Sequence, residues 1–488
     1  MLSVVAKRPR MLLTLDVDAP GPLYQQLFEQ LKAQILAGNI KEGEKLPSIR
    51  SLTNDLGVSH VTVERAYLQL SVEGYVQNKP RSGYVVNPID IAYFADAEEG
   101  EGDLQLANEA LRKDPYKMNC LRGAESRYDF ACANLQPGSF PRKTWARLTE
   151  KVLASFDEAD LTAYRIGLEP CLLQQELSSY LRRYRGVACA PEQIVFQSGT
   201  EAALSAIMQL LGGQAQRVGH EEPGFEVMVA VAKRFGANLV PLPVDQDDEA
   251  YLQALEASNA QLVFATPSHQ FPTGRLMPLE MRVRLLQWAH EHDAYIIEDD
   301  SCNEYRYDIQ AIPSLHSLDQ HNRVIYLGNF SKALSPGLRL SYLALPPRLL
   351  AQWYEKFTFS WDQVPYLSKQ VVALFMQEGH WDQHLRRMST GNKRRHDALV
   401  SALKEAFGDA ISLSGVDSGM HLYVAVRNGM AQEQLMESAF EQGATVYGSD
   451  VYYWSGASHP DNSVLIGFSA IKLEDISAGV AALKKAWL

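Results

Sequence analysis

Lys332 stands in the stretch Asn329-Phe330-Ser331-Lys332-Ala333-Leu334-Ser335-Pro336-Gly337-Leu338-Arg339. The apolar run Val324 to Leu327 reads as a buried strand that delivers the lysine to a loop rich in Ser and Gly. Upstream, Tyr295-Ile296-Ile297 reads as another buried strand and ends in Glu298-Asp299-Asp300. A lysine on one loop, carboxylates at the end of another strand and an arginine nearby are the groups that pyridoxal 5'-phosphate (PLP) needs. The lysine forms a Schiff base, a carboxylate keeps the pyridine nitrogen protonated, and the arginine with backbone amides takes the phosphate. Taken alone, Lys332 reads far more readily as a solvated surface lysine than as a cofactor anchor, so the elements around it must decide.

A chain of 488 residues accommodates about two to four domains and a large core. Its net charge of −12 excludes a generic polyanion binder, so any nucleic-acid contact must come from a local patch. The cysteines Cys120, Cys132, Cys171, Cys189 and Cys302 are scattered and form no C-x-x-C pair. Neither a disulfide framework nor a metal site is expected, which fits a reducing cytoplasm. Met11 to Leu15 is too short for a signal-peptide core, and no run approaches a membrane span.

In chain order, Pro22 to Ala37 carries Leu23, Leu27, Leu31 and Ile35 at helical spacing and stops at Gly38. A turn leads into a second helix that starts at Pro47 or Ser48 and closes at Gly57. Ser59 is a suitable N-cap for a third helix, which ends near Gly74. Two strand-like pieces follow, Tyr75 to Gln77 and Tyr84 to Val86. Three helices and a hairpin predict a winged helix-turn-helix whose third helix starts in the major groove of double-stranded DNA. His60, Thr62 and Glu64 sit early on its polar side, Arg50 can reach a phosphate or base edge, and Lys79 and Arg81 lie on the wing. A helical packing domain without nucleic acid fits the periodicity equally well.

Gly43-Glu44-Lys45-Leu46-Pro47-Ser48-Ile49-Arg50, Leu56-Gly57-Val58-Ser59, Thr62-Val63, Ala66-Tyr67, Glu73-Gly74 and Arg81-Ser82-Gly83-Tyr84-Val85-Val86 resemble the DNA-binding domain of GntR-family bacterial transcription regulators. The resemblance implies DNA contacts at Arg50, Thr62 and the wing glycine Gly83. His60 stands where that family usually has Arg, and His cannot make the bidentate guanine contact.

The expected organisation is an N-terminal extension (1–19), the winged helix-turn-helix (20–88), an acidic linker (89–116), a large domain (117–352) and a small C-terminal α/β domain (353–488). The linker, with Ala95-Asp96-Ala97-Glu98-Glu99-Gly100-Glu101, reads as solvated spacer. Beyond it, apolar strands alternate with helical runs, as in a mostly parallel sheet.

Ser198-Gly199-Thr200-Glu201 follows the strand Ile194 to Phe196 and opens a helix, where backbone N–H groups are free for a phosphate. Glu222-Pro223-Gly224-Phe225 places an aromatic after a turn. Ser268-His269-Gln270-Phe271-Pro272-Thr273-Gly274 is a turn-rich loop whose histidine could be a polar neighbour of a cofactor or simply a loop residue. In this order, these motifs resemble the fold-type-I PLP enzymes of the aspartate aminotransferase superfamily. The 268–274 loop and the domain order resemble the MocR-type regulators, which fuse that fold to a GntR head. The resemblance implies a phosphate cup at Gly199 and Thr200, a ring-stacking aromatic at Phe225 and a pyridine-nitrogen carboxylate at Asp299. It further implies the Schiff-base lysine at Lys332 and the phosphate arginine at Arg339, with His269 and Asn329 counted among the cofactor residues. Tyr164 matches a position near the cofactor.

Two positions depart from the pattern. Ser301-Cys302 occupies the place of a tyrosine that would bond the PLP phenolic oxygen. Leu465 occupies the place of the arginine that clamps an amino-acid carboxylate, with Arg165 as a candidate substitute. The implied function is a cytoplasmic, homodimeric transcription regulator that senses PLP, an amine or an amino acid. A working aminotransferase with an appended head, and a regulator whose pocket only dimerises, are the alternatives.

Overall fold

The computed structural model describes residues 3–8, 11–16, 21–90, 121–155, 162, 170–302, 304–307, 312–357 and 363–488. The chain divides into two compact units, Met1–Asp114 and Pro115–Leu488.

The first unit starts with an antiparallel pair, β1 (Ser3–Arg8) and β2 (Met11–Asp16). The apolar run at Met11 is therefore a strand, with Leu13 and Leu15 turned into the core and Thr14 and Asp16 turned out. Helix α1 (Leu23–Leu36) buries Leu27, Phe28, Leu31 and Ile35. Its glutamines close the outer edge of β2. Gln30 accepts from Thr14 N (2.9 Å) and donates to Thr14 O (2.6 Å), while Gln26 does both at Asp16 (3.0 Å each). Helix α2 (Ile49–Leu56) is capped by Ser48, whose hydroxyl accepts from Ser51 N, and ends at Gly57 in the left-handed region (φ 62°). Helix α3 (His60–Val72) is capped by Ser59, which accepts from Thr62 N, and it buries Val63, Ala66, Tyr67 and Leu70. The wing is β3 (Val76–Lys79) against β4 (Gly83–Val86). The first wing strand runs two residues past its expected end, because Lys79 pairs with Gly83.

The second unit carries β5 (Tyr128–Asp129) after a short helical segment at 121–125 and is built on a seven-stranded mixed sheet. Its strands are β6 (Ile194–Gln197), β7 (Arg217–Glu222), β8 (Asn238–Pro243), β9 (Leu262–Ala265), β10 (Tyr295–Asp299), β11 (Val324–Asn329) and β12 (Ser341–Ala344). They lie in the order β6-β12-β11-β10-β9-β7-β8, and only β12 runs antiparallel to its neighbours. β9, β10 and β11 are buried almost throughout, as expected of strands covered on both faces.

A four-stranded antiparallel sheet follows: β13 (Ile411–Ser414), β14 (His421–Val426), β16 (Tyr447–Gly448) and β17 (Ser463–Gly467). β15 (Ala444–Thr445) pairs instead with β5, so Tyr128 and Phe130 sit in the C-terminal core beside Leu399, Val424 and Ile466. Glu222, at the end of β7, accepts from Ser455 N (2.6 Å) and Ser455 Oγ (2.7 Å), tying the two sheets together.

Candidate functional site

β10 and β11 are adjacent and parallel, in register Asp299↔Leu327. The Glu298-Asp299-Asp300 run and the lysine loop thus leave the sheet on the same side, at the carboxyl ends of neighbouring strands, where open α/β sheets hold their ligands. The three acids have three different surroundings. Glu298 caps the short helix at Leu315, accepting from Leu315 N (2.6 Å) and His316 N (2.8 Å). Asp300 is fully buried and takes Arg185 in a fork, Nε–Oδ2 2.6 Å and Nη2–Oδ1 3.0 Å, plus the Tyr326 hydroxyl (2.7 Å). Among the described residues, Asp299 has only Ser301 as a hydrogen-bond partner, through its N–H (2.9 Å) and its hydroxyl. Burial pushes the Asp299 carboxyl up to about 6, against the pull of the Ser301 hydrogen bonds and of Lys332. Of the three, Asp299 is the acid free to meet a cationic ligand.

β6 ends at Gln197, and Gly199 precedes α4 (Thr200–Leu211) with φ 94°. A Cβ on Gly199 would collide with the Arg339 guanidinium, so the bare backbone and that arginine make one cradle at a helix N-terminus. Asn329 joins the two halves of the site. Its amide donates to Ser301 Oγ (2.6 Å) and Thr200 Oγ1 (3.3 Å), and its carbonyl accepts from Ser331 N (2.9 Å). Ser301, which stands where a tyrosine was expected, therefore links Asp299 to Asn329. The Tyr305 hydroxyl donates to the Lys332 carbonyl (2.8 Å), steadying the loop from below.

Phe225 precedes α5 (Glu226–Arg234), stacks with Phe264 at 6.1 Å and meets Phe271 edge-on at 5.9 Å. His269 is buried; its Nδ1 lies 2.9 Å from Ser418 Oγ, while its Nε2 has no partner among the described residues. Burial lowers it to about 3, so it is a neutral imidazole. His421 likewise falls to about 4 and bonds the Pro272 carbonyl (2.8 Å). Lys332, Asp299, Asn329, Thr200, Gly199 and Arg339 thus share one end of the sheet, with Phe225 and His269 on adjoining loops. Tyr164 and Arg165 lie outside the described residues, as does nearly all of the 89–116 linker.

In the head, Arg50, His60, Lys79 and Arg81 are exposed and Thr62 and Gly83 half-exposed. His60 Nδ1 lies 3.7 Å from Glu64, and the Thr62 hydroxyl lies 2.8 Å from Ser59 Oγ. Gly83 (φ 83°) and Arg81 (φ 67°) both adopt the left-handed region in the wing turn.

Sequence reasoning missed Ser301 as a bridge between Asp299 and Asn329, and Tyr305 at the lysine loop.

Fold and site together define a helix-turn-helix head joined to an aminotransferase-type α/β unit. The GntR family of bacterial regulatory proteins matches residues 23–86, and aminotransferase class I and II matches residues 149–455. YdeL of Bacillus subtilis, an uncharacterized HTH-type transcriptional regulator, is 34% identical over 476 residues, 97% of this chain and 98% of the relative. The probable rhizopine catabolism regulatory protein MocR of Rhizobium meliloti is 34% identical over 480 residues, 98% of this chain and 96% of its own. Among solved structures, the α-aminoadipate aminotransferase LysN of Thermus thermophilus, complexed with N-(5'-phosphopyridoxyl)-L-leucine, matches with a TM-score of 0.66. Its identity is 24%, over 74% of this chain and 91% of that structure. The chain belongs to the MocR type of GntR-family regulators.

Proposed function

We propose that this chain is a transcription regulator whose aminotransferase-type unit binds PLP at Lys332 and whose DNA affinity depends on what occupies that site. The observation that carries the reading is the joint placement of Lys332, Asp299 and the Gly199–Arg339 cradle at the carboxyl ends of adjoining strands. These residues fit the cofactor. The cradle suits a phosphate, Asp299 is paired with no arginine among the described residues, and Phe225 offers an aromatic face. When bound, PLP supplies an aldehyde that captures primary amines. The chain's own residues anchor it, orient it through Asp299 and Asn329, and keep His269 and His421 neutral at its border.

Arg50, Thr62, Gly83 and the exposed His60, Lys79 and Arg81 form the DNA face, His60 altering the base preference at its position. Regulation requires that PLP, or an amine held beside it, favour one arrangement of the chain over another. A homodimer would set two heads over two half-sites in the cytoplasm.

The test is an absorption spectrum of protein with PLP, before and after borohydride, in wild type and Lys332→Ala. A visible band that borohydride fixes covalently in wild type alone establishes the anchor, and its absence from wild type removes the cofactor reading. Robust turnover with an amino-donor panel would make the chain an enzyme instead.

A further inference from the structure

Arg306 lies downstream of Asp299, in the segment 304–307, which pairs with the loop 417–419. Arg306 opposes Ser418 in an antiparallel bridge, Tyr307 N donates to the Asp417 carbonyl (3.1 Å) and Gly419 N to the Tyr305 carbonyl (2.8 Å). Residues directly opposite in such a pair share a face, about 5 Å apart at Cβ, and successive residues alternate between faces. Tyr305 accordingly turns one way, to the Lys332 carbonyl (2.8 Å). Arg306 turns the other way with Ser418, whose Oγ lies 2.9 Å from His269 Nδ1. A Cβ on Gly419 would collide with the His269 ring, so the 417–419 loop is seated flush on that histidine. Arg306 is thus held between the lysine loop and the His269 loop.

Three arginines meet this second loop. Arg282 donates to the Pro267 carbonyl (2.7 Å) and spends its other nitrogens on the Met277 and Pro313 carbonyls. Arg185 donates to Ser268 Oγ (3.0 Å) and to the Ile312 carbonyl, and forks Asp300. The third, Arg306, stands opposite the serine that holds His269, and all three of its guanidinium nitrogens are buried with no partner among the described residues. The acids whose charge reaches it do not balance it. Asp300 is committed to Arg185 and Tyr326, and burial pushes the Glu304 carboxyl up to about 8, so Glu304 is neutral at pH 7. Burial lowers Arg306 itself only to about 10, so it remains a cation. A buried cation without a counter-ion is costly to keep, and a guanidinium takes a carboxylate in a two-pronged fork. Leu465, buried against Ala131, Tyr447 and Tyr452, offers a carboxylate nothing.

We propose that Arg306 receives the carboxylate of the effector, so that this site senses an amine that also carries a carboxylate, held from the His269 side rather than from position 465. The assignment rests on the PLP reading above.

Three probes isolate the carboxylate. Butylamine lacks one, 5-aminopentanoate adds it at the far end of the same chain, and L-norvaline adds it on the amine-bearing carbon. Each is titrated by calorimetry into full-length, PLP-loaded wild type, Arg306→Lys and Arg306→Met. At least one of the two carboxylates is expected to bind wild type about tenfold tighter than butylamine. That advantage should shrink in Arg306→Lys, which keeps the charge and loses the fork, and vanish in Arg306→Met. Thermal melts without effector separate a binding arginine from a structural one. Arg306→Met removes an unpaired buried charge and should melt at or above wild type. Neither carboxylate exceeding butylamine, an advantage that survives Arg306→Met, or an Arg306→Met melt several degrees below wild type each overturns the proposal and leaves the cofactor reading standing. Wild type that retains no PLP overturns the cofactor reading and this assignment with it.

Discussion

Gly199 and Asp299 show what single side chains decide at this site. In Gly199→Ala the new Cβ takes the space of the Arg339 guanidinium, which must swing out of the cradle, and the residue must hold φ 94° with a side chain. PLP affinity is expected to fall about tenfold in a fluorescence titration, as for loss of one charge-assisted phosphate contact. Asp299 carries a pH dependence of known sign. Its carboxyl is raised to about 6, so it is a carboxylate above that pH and takes its own proton below it. PLP affinity should therefore fall as pH drops through about 6, and Asp299→Asn should bind weakly at every pH and lose the step. The three acids Glu298, Asp299 and Asp300 were legible as a group because they end an apolar strand. Their separate tasks were not, since Arg185 and the amides at Leu315 reach them from distant parts of the chain.

At the scale of elements, α3 depends on its cap. Ser59→Ala removes the acceptor for Thr62 N and frees the Thr62 hydroxyl, costing about 1 kcal/mol of head stability in denaturant unfolding. It should weaken operator binding by disordering the first turn. The loop from Thr266 to Gly274 depends on buried Glu221 at the end of β7, which accepts from Thr266 N (3.1 Å), Thr266 Oγ1 (2.5 Å) and Gln270 Nε2 (3.3 Å). Burial raises Glu221 to about 7 from about 4.3 in the unfolded chain. Its contribution is thus fully present below the unfolded value and is lost as pH rises through 7. Glu221→Gln should lessen the fall of Tm between pH 5 and 8 in thermal melts. Most helices were readable from apolar spacing and caps, Ser48–Gly57 and Ser59 among them. β12 was not, because an antiparallel strand inside a parallel sheet looks locally like its neighbours, and the two-residue pair β5–β15 has no periodicity at all.

For the whole molecule, two units with separate cores mean the head can be studied alone. A fragment of residues 1–114 should unfold in one cooperative transition. It should bind an operator about 10²-fold or more weakly than the full chain, if the second unit holds two heads together. Equal affinities in a mobility-shift titration would remove the dimer from the account. The acidic, apolar-poor stretch expected between the units lies almost entirely outside the described residues, and the part of β1 and β2 in the head was not legible, since six-residue strands packed on a helix look like any short apolar run. That hairpin has a practical consequence. The amides of Gln26 and Gln30 occupy the outward-facing backbone groups of Thr14 and Asp16, so β2 offers another chain no ladder to extend. A concentrated solution of isolated heads is thereby guarded along that edge against strand-by-strand growth into fibres, and losing both glutamines would turn a well-behaved fragment into a seed.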